Sequence, residues 1–240
     1  MNLVRWQREF SVTRQRFDNI QGLKRRQVSA WLVQALTEGK VAEELATVAC
    51  ENEWLTLKLA VENSSTICRM IRDSEVDFGL ILDPGAVSGL EVPAFAELDM
   101  GVVLPAGHPL STQQSLSFGQ LNLGRHIIPQ ASLVVHECVI SLYQRSGQFP
   151  ENFISCNDIS LIRNMVIQGS GICILSWLDV MAEVANRQLS FVPLKNNLLR
   201  PLTLALCTAP SRQLSRAALH VIQRLCEIIE TLDRQVKCRS

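Results

Sequence analysis

The sequence predicts an α/β fold built from mostly parallel, doubly wound sheets. Short apolar strands alternate with amphipathic helix-length segments, several strands are apolar at nearly every position, and the alternation runs through twice along the chain. A strand that is apolar on both faces must be covered on both, which is the situation of a parallel strand between two helix layers. With 240 residues the chain is long enough for two lobes with separate cores.

In the first pass, residues 28–33, 55–61 and 76–82 read as strands and residues 37–52 and 65–74 as helices. A further strand over 100–104 runs into Pro105-Ala106-Gly107-His108-Pro109-Leu110, whose Pro and Gly content ends regular structure and is expected to close the first lobe. The second pass has strands near 126–128, 153–156, 172–175 and 190–193, with helices over 133–145, 159–168 and 178–185. An apolar strand over 202–207 follows, then a closing helix over 212–236 whose expected buried stripe is Leu214, Ala218, Val221, Leu225, Ile228 and Leu232. If that last segment crosses back to the first lobe, both lobes are discontinuous and a pair of strands forms a natural hinge.

Ahead of the first strand, Leu3, Trp6, Phe10, Thr13, Phe17 and Ile20 recur at alternating spacings of three and four, a heptad seam. Such a helix pairs with a second copy of itself or docks on its own domain. Gly22 and the basic Lys24-Arg25-Arg26 then supply a stop. Residues 1–27 carry a net charge of +5, leaving −5 on the remaining chain. A mildly acidic body repels phosphate backbones, so residues 28–240 are not expected to bind nucleic acid.

Other function classes lose support on composition. No apolar run reaches the roughly 18 residues of a membrane span, and the opening residues lack the pattern of a secretory signal, so a cytoplasmic protein without membrane contact is expected. The eight cysteines never sit two or three apart, so no Cys-x-x-Cys metal or redox motif is present, and most are expected to be core residues. No metal, cofactor or catalytic residue is expected, because no phosphate loop, metal-ligand cluster or nucleophile-base pairing stands out.

Three stretches carry a resemblance. They are Ile71-Arg72-Asp73-Ser74-Glu75-Val76-Asp77-Phe78-Gly79-Leu80, Leu104-Pro105-Ala106-Gly107-His108-Pro109-Leu110, and Asn164-Met165-Val166-Ile167-Gln168-Gly169-Ser170-Gly171-Ile172-Cys173-Ile174-Leu175. In this order, and preceded by the heptad segment, they resemble the effector-binding domain and linker helix of LysR-type transcriptional regulators. The resemblance implies two Rossmann-like lobes joined by a two-strand hinge, similar to type 2 periplasmic binding proteins. Lobe I would span 28–104 plus 208–236, lobe II 105–207, and a linker helix 1–27 would dimerise through Leu3, Trp6, Phe10, Phe17 and Ile20. It further implies a hinge at Gly107, His108 and Pro109, an effector held between the lobes, and homodimers or tetramers. The family reads DNA through an N-terminal winged helix-turn-helix, and nothing before residue 28 is expected to supply one. Two local departures stand out: Ser176-Trp177 where the family commonly has Pro, and Glu51-Asn52-Glu53-Trp54 in place of a Tyr-Pro turn.

In doubly wound sheets ligands lie at the carboxyl ends of the strands, where loops and helix N-termini converge. Gln34, Leu36 and Thr37 follow the first strand, with Thr37 expected to cap the next helix. Ser64, Ser65 and Thr66 follow the second strand, and Pro129, Gln130 and Asn157 hold corresponding places in the second lobe. Amides at a helix start favour an anion, so an acidic metabolite is the expected effector, although simple N-capping uses the same residue types. Asp158 is expected to cap the helix beginning near Ile159, Trp177 to fill a gap, and Arg125, His126 and His136 to be non-functional. The leading expectation is a non-enzymatic sensor of transcription. The alternative is a truncated interaction module that forms mixed oligomers with full-length regulators, and a transport-type solute receptor is a third.

Overall fold

The computed structural model describes residues 27–83, 89–195, 198–210 and 212–237. The expected linker helix, with Leu3, Trp6, Phe10, Phe17 and Ile20, lies outside the described residues. Apolar strands alternating with helices form two five-stranded sheets. By contacts the described residues group into two compact units, the first drawn from residues up to 81, 86–94 and 206–228, the second from 82–85, 95–205 and 229 onward.

The first sheet contains β1 (Gln27–Leu32), β2 (Thr56–Val61), β3 (Phe78–Leu82), β4 (Glu91–Leu98) and β10 (Leu202–Thr208), in the order β2-β1-β3-β10-β4. Both β2 and β3 run parallel to β1. Helix α1 (Lys40–Glu51) buries Val41, Leu45 and Val48, and α2 (Ser64–Arg72) buries Ile67, Cys68, Met70 and Ile71. The closing helix α6 (Arg216–Lys237) buries Ala218, Val221, Leu225 and Leu232 as expected, together with Ile229 rather than Ile228. Leu214 precedes the helix and is half-buried. Arg224 of α6 pairs with Glu44 at 2.6 Å and with Glu51 at 2.8 Å, which docks α6 on α1.

β4 has no counterpart in the sequence reading. Only Ala94, Ala96 and Leu98 of it are buried, and Pro93 interrupts the pattern. Alanines give a weak apolar signal, and a proline is tolerated because β4 is an edge strand with no ladder partner on its outer side.

The second sheet contains β5 (Met100–Pro105), β6 (His126–Pro129), β7 (Phe153–Cys156), β8 (Ile172–Ser176) and β9 (Leu189–Pro193), in the order β7-β6-β8-β5-β9. β6 is parallel to β7 and β8, whereas β5 is antiparallel to β8 and β9. The helices of this unit are α3 (Val135–Ser146), α4 (Ile159–Ile167) and α5 (Trp177–Ala185). Ser176 and Asp179 form a capping box that starts α5, and Trp177 is buried edge-on against Phe191. The missing proline is thus replaced by a cap and a ring that fills the space.

Two expected strand placements are corrected. β5, assigned to the first lobe, is a central strand of the second sheet, and β10, assigned to the second lobe, lies in the first sheet between β3 and β4. The chain therefore changes sheet at Asp99, between β4 and β5, and not at the Pro-Gly turn. That turn is local: Gly107 has φ 77°, His108 Nδ1 accepts the Leu110 N–H at 3.2 Å, and Ser111 Oγ donates to the His108 carbonyl at 2.7 Å. A hinge role for Gly107, His108 and Pro109 does not fit this placement. An apolar run such as Met100–Leu104 shows that a strand is central without showing which sheet receives it.

The residues that carried the resemblance hold the fold. Asp77 accepts the Ser29 N–H and hydroxyl, both at 2.8 Å, and pairs with Arg212 at 2.7 Å. A Cβ on Gly79 would lie 2.3 Å from Ile67 Cγ2, so the glycine lets α2 settle on β3. A Cβ on Gly171 would lie 2.6 Å from the Arg125 carbonyl oxygen, a backbone atom that cannot rotate aside. His126 is buried, with Nε2 2.7 Å from the Leu121 carbonyl and Nδ1 2.5 Å from the Tyr143 hydroxyl. A carbonyl only accepts, so Nε2 carries the proton and Nδ1 accepts from tyrosine, which is the neutral imidazole.

Gly171→Ala is expected to destabilise the second unit by about 1–3 kcal/mol through overpacking, read as a lowered urea midpoint with unchanged slope. An unchanged midpoint would show that β6 and β8 can separate freely. Burial pushes His126 below its ordinary value of 6.5. Its contribution to stability is therefore complete above pH 6.5 and is lost as the pH falls through the lowered folded value. Urea midpoints measured from pH 7 to pH 5 should decline more steeply in the wild type than in His126→Gln, and equal slopes would contradict this.

Candidate functional site

Parallel pairing decides where the polar loops start. Leu32 of β1 stands opposite Val61 of β2, so both strands release their chains at the same edge, and the Glu62 N–H donates to the Leu32 carbonyl at 3.1 Å. From β1 the chain enters a 3-10 turn, Gln34–Leu36; from β2 it reaches Asn63 and the start of α2. The second unit repeats the arrangement. Pro129 of β6 stands opposite Cys156 of β7, and the Gln130 N–H donates to the Cys156 carbonyl at 2.9 Å. Gln34, Thr37, Ser64, Ser65 and Thr66 thus share one strand edge in the first unit, and Gln130 and Asn157 share another in the second.

Several of the individual roles differ from those expected. Thr37 does not cap α1. Its N–H and hydroxyl donate to the Gln34 carbonyl at 3.1 and 2.8 Å, closing the 3-10 turn, and the α1 N-cap is Gly39 with φ 72°. Leu36 is fully buried, so its side chain belongs to the core. Asn63, and not one of the three hydroxyl residues, caps α2: its Oδ1 accepts the Thr66 N–H at 2.9 Å and the Ser65 hydroxyl at 2.6 Å. Ser65 is exposed and Thr66 half-buried. Pro129 is buried and its carbonyl accepts from His136 Nδ1 at 2.7 Å, which gives that histidine a structural duty. Gln130 and Asn157 are exposed, and Asp158 caps α4 by accepting the Leu161 N–H at 2.7 Å.

The second unit also holds a groove of about 1110 Å³ that the sequence reading did not find, lined among others by Asp99, Met100, Trp177, Phe191, Leu199 and Arg200. A smaller cavity of about 270 Å³ lies against α3, lined by Glu137, Cys138, Ser141, Arg145 and residues 198–200. Arg200 borders both. Its guanidinium meets the Asp83 carboxylate with two hydrogen bonds, Nη1 to Oδ1 at 3.0 Å and Nη2 to Oδ2 at 2.5 Å, and the pairing raises the arginine above its ordinary value. These residues come from six separate stretches, so only the folded packing joins them.

Among the described residues no group of His, Cys, Asp or Glu is placed to hold a metal, and no helix is long and apolar enough to cross a membrane. Burial pushes the Cys68, Cys138 and Cys173 thiols up, and Cys207 up to about 12, so they remain protonated and unreactive.

Comparison with known proteins agrees with this architecture. The sequence profile of the family described as "LysR substrate binding domain" matches residues 45–228. The HTH-type transcriptional regulator CysL of Bacillus subtilis (strain 168) is 22% identical over 142 residues, covering 59% of this chain and 48% of the relative. A probable RuBisCO transcriptional regulator of Cyanophora paradoxa is 22% identical over 192 residues, covering 78% of this chain and 59% of the relative. The chain spans about half the length of the curated relatives it matches. Among solved structures, the Synechocystis PCC6803 CcmR regulatory domain in complex with 2-PG superposes with TM-score 0.68 at 16% identity, over 86% of this chain and 98% of that one. The effector binding domain of QuiR in complex with shikimate gives 0.66 at 12% identity, over 85% and 97%. The relatives are regulators of transcription, and the chain belongs to the LysR substrate binding domain family.

Proposed function

We propose that the chain is the effector-sensing domain of a LysR-type transcriptional regulator and that its effector is a small anionic metabolite. The carrying observation is the pairing of polar loops at the carboxyl edge of adjacent parallel strands, β1 with β2 and β6 with β7. There the start of α2, capped by the neutral Asn63, presents backbone amides and partial positive charge, which suits a carboxylate or phosphate without a lysine, whereas the Asp158 carboxylate already caps α4. Gln34, Thr37, Ser64, Ser65, Thr66, Gln130 and Asn157 are the proposed recognition residues, with Leu36 and Pro129 shaping the loops through their backbone. Two neighbours of the same fold hold small molecules, shikimate in one and 2-PG in the other.

A ligand shifts a conformational equilibrium only by its differential affinity for the two states. In the proposed reading, the bound state alters subunit contacts in a homodimer or tetramer, and DNA is reached through a winged helix-turn-helix. The protein would act in the cytoplasm, as such regulators do.

Thermal unfolding across a panel of small carboxylates and phosphates, each beside a neutral analogue, tests the reading. An effector present at 100 times its Kd stabilises the native state by about 2.7 kcal/mol, and calorimetry on the same sample then gives a one-site isotherm. A folded sample that no anion in the panel stabilises, or that neutral analogues stabilise equally, would count against an anion-sensing domain.

A further inference from the structure

Arg200 is placed unlike Arg163 and Arg145 of the same unit. Arg163 is 12% exposed and committed to Glu183 at 3.2 Å and to the Asp179 carbonyl at 2.9 Å. Arg145 donates to the Leu198 carbonyl and so ties α3 to the segment ahead of β10. Arg200 stands 62% exposed at the border of both cavities, 270 and 1110 Å³, with its guanidinium fork turned to a single carboxylate.

That carboxylate is held at a conformational cost. Asp83 has φ 45°, one of three left-handed non-glycine residues among those described, while its N–H donates to the Thr203 carbonyl at 2.7 Å. Left-handed backbone away from glycine is uncommon and persists where the surroundings impose it. Here its effect is to set two carboxylate oxygens on two guanidinium nitrogens at 3.0 and 2.5 Å, the geometry in which arginine recognises any carboxylate or phosphate. The Cys138 thiol also lies against the same guanidinium, and Glu137 lines the small cavity.

We propose that Arg200 is the anion-recognising residue of the groove beside Trp177, and that Asp83 is a built-in competitor that occupies it until a ligand carboxylate or phosphate takes its place. The inference rests on the reading of the chain as an anion sensor and adds a side-chain contact in the second unit's groove to the backbone amides and loop residues named above. A ligand carboxylate makes the same two parallel hydrogen bonds that Asp83 gives up, but it leaves Asp83, only 23% exposed, without its partner. The ligand's remaining contacts along Met100, Trp177 and Phe191 therefore decide the outcome.

The two partners make opposite predictions. Asp83→Asn keeps a residue that tolerates the left-handed backbone but removes the competing charge, and affinity for anions should rise about two- to fivefold. Arg200→Gln should lower affinity for the same anions about tenfold or more. Both leave any binding of neutral analogues unchanged. The measurement is calorimetry on the full chain with benzoate, shikimate, 2-PG and inorganic phosphate, with benzamide as the neutral control and urea midpoints to establish folding. A purely structural ion pair would move both variants in the same direction, and that result overturns the proposal. Wild-type binding unaffected by either substitution also overturns it while leaving the sensing function intact. If no anion binds the wild type or Asp83→Asn, the sensing function fails together with the proposal.

Discussion

Because β1 and β2 run parallel with Leu32 opposite Val61, the chain leaving each strand has to begin at the same edge of the sheet, and each then turns directly into a 3-10 turn or a helix. Antiparallel neighbours would have placed those two exits at opposite edges. The same holds for β6 and β7, where Pro129 faces Cys156. Strand direction therefore creates the polar rim before any particular polar residue is chosen, and with it the helix starts that favour negative charge. Close approach of the layers depends in turn on glycine. Gly79 admits Ile67 and Ile71 of α2 onto β3, and Gly171 admits the backbone at Arg125 against β8. Without these contacts the helix starts would not sit at fixed positions over the strand ends.

The three sequence stretches that resemble the family turn out to describe this scaffold. Asp77 gathers Ser29 and Arg212, Gly79 and Gly171 permit close packing, and His108 closes a turn. None of these side chains lies at the polar loop starts of β1, β2, β6 or β7. The family is legible in its packing rules, whereas the proposed recognition residues lie in loops that those rules do not fix.

Most helices and strands were legible because their apolar spacing follows from burial on one or both faces. β7 falls on residues 153–156 as expected, and α4 and β8 end within one residue of their expected limits. The failures share a physical cause, which is that a single element was read without its neighbours. β4 hides behind alanines and Pro93, which an edge strand tolerates. β5 and β10 are apolar enough for either sheet, so only pairing decides between them. Thr37 looks like a cap, yet the intervening 3-10 turn claims its hydroxyl and moves the helix start to Gly39. Arg200 and Asp83 are 117 residues apart, and no periodicity connects them.

On the proposed reading, the arrangement also accounts for how a domain with a mildly acidic body would receive an acidic ligand. Long-range attraction is not required if the groove's guanidinium is already paired with Asp83. Asp83 offsets Arg200 while the groove is empty, which keeps an exposed guanidinium from attracting anions indiscriminately. A ligand must therefore match the fork and also fill the apolar wall of Trp177 and Phe191, which pack edge to face at 5.4 Å. Charge alone exchanges one carboxylate for another and leaves Asp83 without its partner, so shape must supply the difference. Selectivity then comes from apolar surface that inorganic phosphate cannot cover, so recognition of a metabolite over common salts follows from the competition itself.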